Sequence, residues 1–150
     1  MTSLLTRAGA VLALVLACTL ASAQDAPQQL PAIRISTGMH VLQVQLAQTP
    51  EQQQIGLMFR KTMGTNEGML FVFDEPRQQC FWMKNTLLPL SVAFIADDGS
   101  VVNLDNMKPQ TLDSHCSTKP VRFVLEMNVG WFDKRGIKAG SKFTGEPFRK

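Results

Sequence analysis

The chain has 150 residues and a formal charge of +3, with 15 lysines and arginines against 12 aspartates and glutamates. Its length supports one domain with a modest core. The basic residues are scattered and tyrosine is absent, so the basic stripe and aromatic platform typical of nucleic-acid-binding proteins are not visible. Composition therefore argues against a nucleic acid as partner.

The first 23 residues have the features of a secretion signal. Arg7 is their only charge, an uncharged apolar run extends from Ala8 to Ala21, and Ala21-Ser22-Ala23 supplies the small residues that signal peptidase accepts. The apolar run is shorter than the about 20 residues of a spanning helix, although a retained anchor and lipidation at Cys18 are alternatives. We expect cleavage after Ala23 and export to the periplasm or beyond, with no membrane span in the mature chain. Loss of Arg7 lowers the formal charge from +3 to +2.

A short leader and one globular domain are predicted after the signal. The stretch Gln24 to Pro31 is rich in Gln and Pro, which is typical of a flexible segment. We place the leader at residues 24–36 and the domain at residues 37–150. No internal repeat and no second domain is visible in the sequence.

The domain is predicted to begin with a strand and a short helix. Met39 to Ala47 alternates apolar and polar residues, which indicates a strand buried on one face. Thr49 suits a helix N-cap, because Pro50 follows at the first helical position and Gln52 lies three residues after the cap. Ile55, Met58 and Phe59 would give this helix one apolar face against a sheet.

Strands dominate the remaining pattern. Met69 to Phe73 is apolar throughout, as expected for a strand covered on both faces. Ser91 to Ala96 and Val101 to Leu104 flank Asp97-Asp98-Gly99-Ser100, which indicates a hairpin, and Val121 to Met127 forms a later strand. We therefore predict a mainly β, α+β fold: a curved antiparallel sheet or a small barrel with one or two short helices.

Four sequence blocks carry a family resemblance. They are GLMFR at 56–60, EGMLFVF at 67–73, FWMKNT at 81–86 and VLEMNVGW at 124–131. In this order they closely resemble the bacterial and archaeal family called domain of unknown function 192, over Met39 to about Phe143. The resemblance implies a compact, mainly β, often exported protein. It implies no established activity and no established catalytic residues.

Cys80 and Cys116 are the only thiols left after signal cleavage. An even number of cysteines in an oxidising compartment favours a disulfide, and free buried thiols or metal and redox roles are alternatives. His115 beside Cys116 suggests a nucleophile pair. Adjacent residues of an extended chain point to opposite sides, however, which disfavours catalysis by this pair.

Polar residues interrupt two otherwise apolar segments. Lys84 and Asn85 follow Trp82, and Glu126 and Asn128 lie in or just after a predicted strand. Because Lys and Glu are rarely buried without partners, one interpretation is a Lys84–Glu126 ion pair or helix caps by the two asparagines. The functional interpretation is a small ligand pocket with Trp82 as a wall and Lys84 as an anion contact.

Methionine is frequent near the predicted core elements. Six of the eight methionines lie in or beside them: Met58, Met63, Met69, Met83, Met107 and Met127. Thioethers with Cys and His could bind Cu(I), whereas methionine also fills irregular core gaps, and no Met-rich repeat is present. We predict no cofactor and no metal site.

Three hypotheses on function follow. The preferred one is a non-catalytic periplasmic module that binds a small polar or anionic ligand, or a protein partner. The second is an enzyme of unknown reaction that uses Lys84, Asn85 or Glu126, and the third is a copper-handling protein that uses Met and His. Paired carboxylates, a phosphate-binding loop, a serine elbow and a zinc signature are all missing from the sequence.

Overall fold

A computed structural model describes residues 26–148, and a six-stranded sheet forms the centre of this part of the chain. The expected signal at 1–23 with Cys18, the first two leader residues and residues 149–150 lie outside the described residues. The elements in chain order are β1 Ala32–Thr37, β2 His40–Ala47, α1 Pro50–Ile55, β3 Glu67–Arg77, β4 Cys80–Phe81, β5 Leu90–Ile95, β6 Val101–Met107, β7 His115–Cys116 and β8 Val121–Asn128, followed by 3-10 turns at Asp133–Arg135 and Glu146–Phe148.

The strand order in the sheet is β1-β2-β3-β8-β5-β6, and β4 and β7 form a separate two-stranded ribbon. The predicted mainly β fold is confirmed. The sheet is open, so the small-barrel alternative is not realised, and one pair of strands, β2 and β3, is parallel. A parallel pair needs a crossover, which α1 and the loop after it provide. Within residues 26–148, we find no helix with the length and apolar character needed to cross a membrane.

The sheet buries apolar side chains on both faces, so two cores flank its central strands β3, β8 and β5. On β8, Leu125 and Met127 belong to the first core, while Val124 belongs to the second. All six residues of β5 are buried, as expected for a strand that is covered on both sides. The second core contains Glu126, because Glu126 shares its face of β8 with Val124.

Two boundaries differ from the sequence-based expectation. β1 starts at Ala32, so residues 32–36 are strand rather than the flexible leader placed at 24–36. Ile35 is buried in the first core and anchors this segment. The Gln- and Pro-rich residues before Ala32 made the start of this strand hard to recognise in the sequence. The helix ends at Ile55, so Met58 and Phe59 lie in the turns after it and do not form the expected helical face.

The N-terminus of α1 is the predicted capping box. Thr49 accepts a hydrogen bond from the Gln52 backbone N–H, and the Gln52 side chain accepts from the Thr49 backbone N–H at 3.1 Å. Pro50 occupies the first turn, where its missing N–H has no cost. This short helix therefore begins where the sequence predicts.

The β4–β7 ribbon is joined by the predicted disulfide between Cys80 and Cys116, whose Cα atoms are 4.1 Å apart. The next residue, Phe81, packs edge-on against Phe71 of β3, with ring centroids 4.7 Å apart. The ribbon therefore covers the second core, and the disulfide holds it there.

Candidate functional site

Glu126 is a carboxyl group inside the second core. It lies between Met69 of β3 and Val92 of β5 in the sheet register, and its exposed fraction is 4%. Burial raises the pKa of Glu126 from 4.5 to about 8, and neither a hydrogen bond nor a nearby charge contributes to the shift. The carboxyl is therefore mostly protonated at neutral pH.

A narrow cleft leads to this carboxyl, and we call it the Glu126 cleft. Its aromatic wall consists of Phe71, Phe81 and Trp82, and Gln53 and Thr86 also line it. The cleft has a volume of about 40 Å³. That space holds a few water molecules or one small chemical group. Trp82 forms its outer edge, with 48% of its surface exposed.

Gly56 allows the segment after α1 to close over the cleft. Its φ of 51° lies in the left-handed range, which glycine adopts without strain. A Cβ at this position would lie 3.2 Å from Cζ of Phe71. The glycine at the end of α1 is therefore needed both for the turn and for its contact with the aromatic wall.

Lys84 does not form the expected ion pair with Glu126. The Nζ atom of Lys84 lies 5.5 Å from the centroid of the Trp82 ring, and the side chain is exposed. No ion pair among residues 26–148 contains either Lys84 or Glu126. The structure therefore places Lys84 beside Trp82 at the rim, and no cation from the described part of the chain pairs with the buried carboxyl.

The two asparagines hold loops and do not line the Glu126 cleft. Asn85 adopts a φ of 54°, and its backbone carbonyl oxygen accepts a hydrogen bond from Phe59 N at 2.9 Å. Asn128 Nδ2 donates to the carbonyl oxygens of Met63 and Gly64 at 3.3 and 3.0 Å. The sequence suggested that the two asparagines cap helices, but neither does. Both instead fix the turns around β3 and β5.

Of the five expected site residues, the structure brings Trp82 and Glu126 to one cleft and leaves Lys84 next to Trp82. Sequence reasoning missed Gln53, Gln54 and Thr86 as polar lining residues. Thr86 belongs to the FWMKNT block and is buried, so a closer inspection of that block could have found it. Gln53 lies in a polar stretch of α1 with no local signal of a site.

The methionine sulfurs do not gather at an exposed site. Met69, Met83 and Met107 are buried in the second core, and Met127 is buried in the first core on the opposite face. Among the residues that the structure describes, no group of three or more His, Cys, Asp and Glu could hold a metal ion. The copper hypothesis therefore gains no support.

His115 is paired with a carboxylate rather than with a thiol. Its Nδ1 lies 2.6 Å from Oδ2 of Asp105, and Cys116 is bonded to Cys80. A Cys–His nucleophile pair is therefore absent from this disulfide-bonded form.

A larger cleft lies elsewhere on the molecule. It has a volume of about 640 Å³ and is lined by Arg34, Asp98, Lys142 and Phe148, among others. Lys142 and Asp98 form an exposed ion pair at 3.4 Å there, a kind of contact that is common on protein surfaces. The Glu126 cleft is the stronger candidate because a buried group with a strongly shifted pKa opens into it.

Comparison with known proteins identifies the family. The family model DUF192, described as an uncharacterized ACR, matches residues 32–145. A solved structure from Sinorhizobium meliloti 1021, described as a candidate transcription regulator, is 40% identical with a TM-score of 0.72 and covers 76% of this chain and 92% of that chain. The solved structure of a protein of unknown function from Novosphingobium aromaticivorans DSM 12444 is 36% identical with a TM-score of 0.74. The match covers 77% of this chain and 86% of that chain. No curated protein matches. The chain thus belongs to the DUF192 family, as its four sequence blocks indicate.

Proposed function

We propose that the protein is exported to the periplasm and that its folded part is a non-catalytic module that binds a small polar ligand at the Glu126 cleft. One observation carries the proposal: Glu126, a residue that is 4% exposed, lines a cleft to which residues 26–148 contribute no cation. Burying such a group costs free energy unless a partner forms hydrogen bonds with it. A ligand that forms hydrogen bonds with Glu126 offsets part of this free-energy cost.

The size of the cleft limits what can enter. Pockets for drug-sized ligands usually have volumes of about 300–1,000 Å³. The Glu126 cleft has about 40 Å³, so it admits a very small molecule or one end of a larger one. A protein partner would reach Glu126 with a single side chain. An anionic ligand is less suited to this cleft, because Lys84, the expected anion contact, lies outside its lining.

Export is supported by the signal features of residues 1–23 and by chemistry within the folded part. The Cys80–Cys116 disulfide suits an oxidising compartment such as the periplasm. The intact mass of protein recovered from the periplasm should correspond to a chain that begins at Gln24. A lipid-modified chain that begins at Cys18, or a chain that retains the segment, would contradict cleavage after Ala23.

Native mass spectrometry of protein purified from its own periplasm tests ligand binding. We expect an added small mass on the unmodified chain and its loss in Glu126→Gln, which keeps the size of the side chain. Glu146→Gln is the matched control, because Glu146 is exposed and far along the chain in the last 3-10 turn. An added mass that survives in Glu126→Gln would assign the ligand to another site, and a bare chain would contradict the proposal.

A second candidate function is proton transfer by Glu126. A pKa of about 8 suits a general acid or base near neutral pH. Among residues 26–148, however, Glu126 is the only ionisable residue that lines the cleft, so it would act without Lys84 as partner. Incubation with a periplasmic metabolite extract tests this function: a metabolite consumed by the unmodified chain but not by Glu126→Gln would establish catalysis.

A further inference from the structure

Two of the three uncharged polar side chains that line the Glu126 cleft, Gln53 and Thr86, offer hydrogen-bond acceptors, and the third, Gln54, is exposed. Gln53 Nε2 donates to the carbonyl oxygen of Val72 at 2.8 Å, which leaves the Gln53 carbonyl oxygen as an acceptor. The Thr86 hydroxyl donates to the carbonyl oxygen of Lys84 at 3.2 Å, so only its lone pairs remain. An ionised Glu126 can only accept. The cleft therefore suits a ligand group that donates several hydrogen bonds.

The aromatic wall also favours a positive charge. Phe71, Phe81 and Trp82 border the carboxyl, and aromatic rings attract cations to their faces. Trp82 already has one cation of the chain beside it, because Lys84 Nζ lies 5.5 Å from its ring centroid. A second cation inside the cleft would combine ring contacts with the Glu126 carboxylate.

No cation of the described chain neutralises Glu126. The sheet residues on either side of it are Met69 and Val92, and the first ionisable residue beyond Val92 in the same row is Asp105, which is paired with His115. The turn after α1 and the β4 ribbon bring no ionisable lining residue. Neither Lys84 nor Arg60 lines the cleft, and neither contributes to the pKa of Glu126.

We propose that the Glu126 cleft binds the primary ammonium group of an alkylamine. This inference rests on the proposed function and names its ligand class. The three N–H donors of a primary ammonium match the three acceptors, Glu126, Gln53 and Thr86. A volume of about 40 Å³ accommodates an ammonium with its first methylene. A quaternary ammonium is larger and has no N–H to donate, so the cleft selects against it.

Binding of the cation is coupled to loss of a proton. The protonated Glu126 carboxyl releases one proton to solvent, and the resulting carboxylate pairs with the ammonium, so charge and atoms balance. Below a pKa of about 8, affinity should rise by about tenfold per pH unit, and it should level off above that value. Amine binding should therefore be much stronger in mildly alkaline solution than in mildly acidic solution.

Three probes of equal chain length separate the ligand classes: n-butylammonium, n-butanol and butyrate. Titrations at about pH 6.5 and about pH 8.5 are followed by NMR through the indole N–H of Trp82 and the methyl group of Thr86. We expect n-butylammonium to shift both signals and to bind at least about tenfold more tightly at the higher pH. A short blocked peptide with one lysine shows whether a protein side chain is an equally good source of the ammonium.

Two variants test the contacts and one serves as control. Glu126→Gln should lower the affinity for n-butylammonium by at least tenfold and abolish its pH dependence. Thr86→Val removes one acceptor without changing the carboxyl, and we expect several-fold weaker binding. Glu146→Gln should bind like the unmodified chain. Circular dichroism confirms that each variant is folded, and Thr86→Val tests the proposal even if Glu126→Gln fails to fold.

Different outcomes overturn this inference and the proposed function. Equal or tighter binding of n-butanol or butyrate at the same signals contradicts the amine class. Failure of n-butylammonium to bind contradicts it too, and the proposed function then stands if native mass spectrometry shows a ligand that depends on Glu126. Binding of n-butylammonium with unchanged affinity in Glu126→Gln places the amine at another site and overturns the inference.

Discussion

The two cores on either side of β8 bury their polar groups in different ways. In the first core, the Ser91 hydroxyl accepts a hydrogen bond from Gly130 N at 2.8 Å, and Trp131 Nε1 donates to Asn66 Oδ1 at 3.1 Å. In the second core, burial alone raises the pKa of Glu126, and no hydrogen bond lowers it. Satisfied polar groups stabilise a fold, whereas an uncompensated carboxyl destabilises it, so the second core carries the signature of a functional site.

The pH dependence of stability should show the largest difference between the two cores. Because the pKa of Glu126 is about 8 in the folded chain and near 4.5 when unfolded, the unfolded chain releases this proton first as pH rises. This group therefore lowers the free energy of unfolding progressively between pH 4.5 and about 8, by roughly 5 kcal/mol in total. Urea unfolding at several pH values measures the loss.

Glu126→Gln is the control for this pH dependence, because an amide does not titrate. The difference in free energy of unfolding between the variant and the unmodified chain should grow in favour of the variant from about pH 5 to about pH 8. A difference that stays constant over this range would show that the carboxyl is already ionised in the folded chain.

Loss of the disulfide should have the next largest effect on stability, and it should act through the second core, which the β4–β7 ribbon covers. The bond closes a sequence separation of 36 residues, and the double variant Cys80→Ser, Cys116→Ser should lower the free energy of unfolding by about 3–4 kcal/mol. Since the β4–β7 ribbon positions Phe81 and Trp82 over Glu126, its loosening should also bring the pKa of Glu126 closer to 4.5. An unchanged pKa would show that the ribbon does not exclude water from the cleft.

Leu125→Ala tests the first core at the residue next to Glu126. Leu125 is fully buried, and truncation should lower the free energy of unfolding by about 3 kcal/mol, because it leaves a cavity. The loss should be the same at every pH where the protein is folded, as measured by denaturant unfolding. If the loss in free energy of unfolding depended on pH, as the effect of Glu126 is expected to, the two cores would not differ in the way described.

Asn128→Ala should have the smallest effect of the series. The variant removes the hydrogen bonds to the carbonyl oxygens of Met63 and Gly64, which costs about 1–2 kcal/mol. Because Asn128 does not line the Glu126 cleft, ligand binding should change by less than about threefold, as measured by titration with n-butylammonium. A loss of binding as large as that of Glu126→Gln would make Asn128 part of the site.

Local sequence patterns predict much of this fold because they act over a few residues. The Thr49–Gln52 capping box needs only its own four positions, and the β5–β6 hairpin follows from Asp97-Asp98-Gly99-Ser100 between two apolar runs. The parallel pairing of β2 with β3 has no such local signal. It depends on how α1 and the following loop pack on the second core, which is why an antiparallel sheet or a barrel was expected instead.

The candidate site was predictable in part for the same reason. Glu126 and Trp82 stand out as a polar and an aromatic residue in distinctive blocks, and the sequence named both. The Lys84–Glu126 ion pair, one of two interpretations of the sequence, is not formed, because Lys84 lies beside Trp82 instead. Which side chains meet across the sheet depends on contacts between distant segments, and a single sequence does not encode them in a readable pattern.

Glu126 is a buried acid without an ion-pair partner among residues 26–148. A carbon-detected NMR titration of the glutamate side-chain carboxyls in the unmodified protein measures this most directly, with Glu126→Gln to assign the signal. We predict that the Glu126 signal titrates with a pKa of about 8, well above its ordinary value of 4.5, and that added n-butylammonium lowers this pKa. A Glu126 signal that titrates near 4.5 in the free protein would contradict the account.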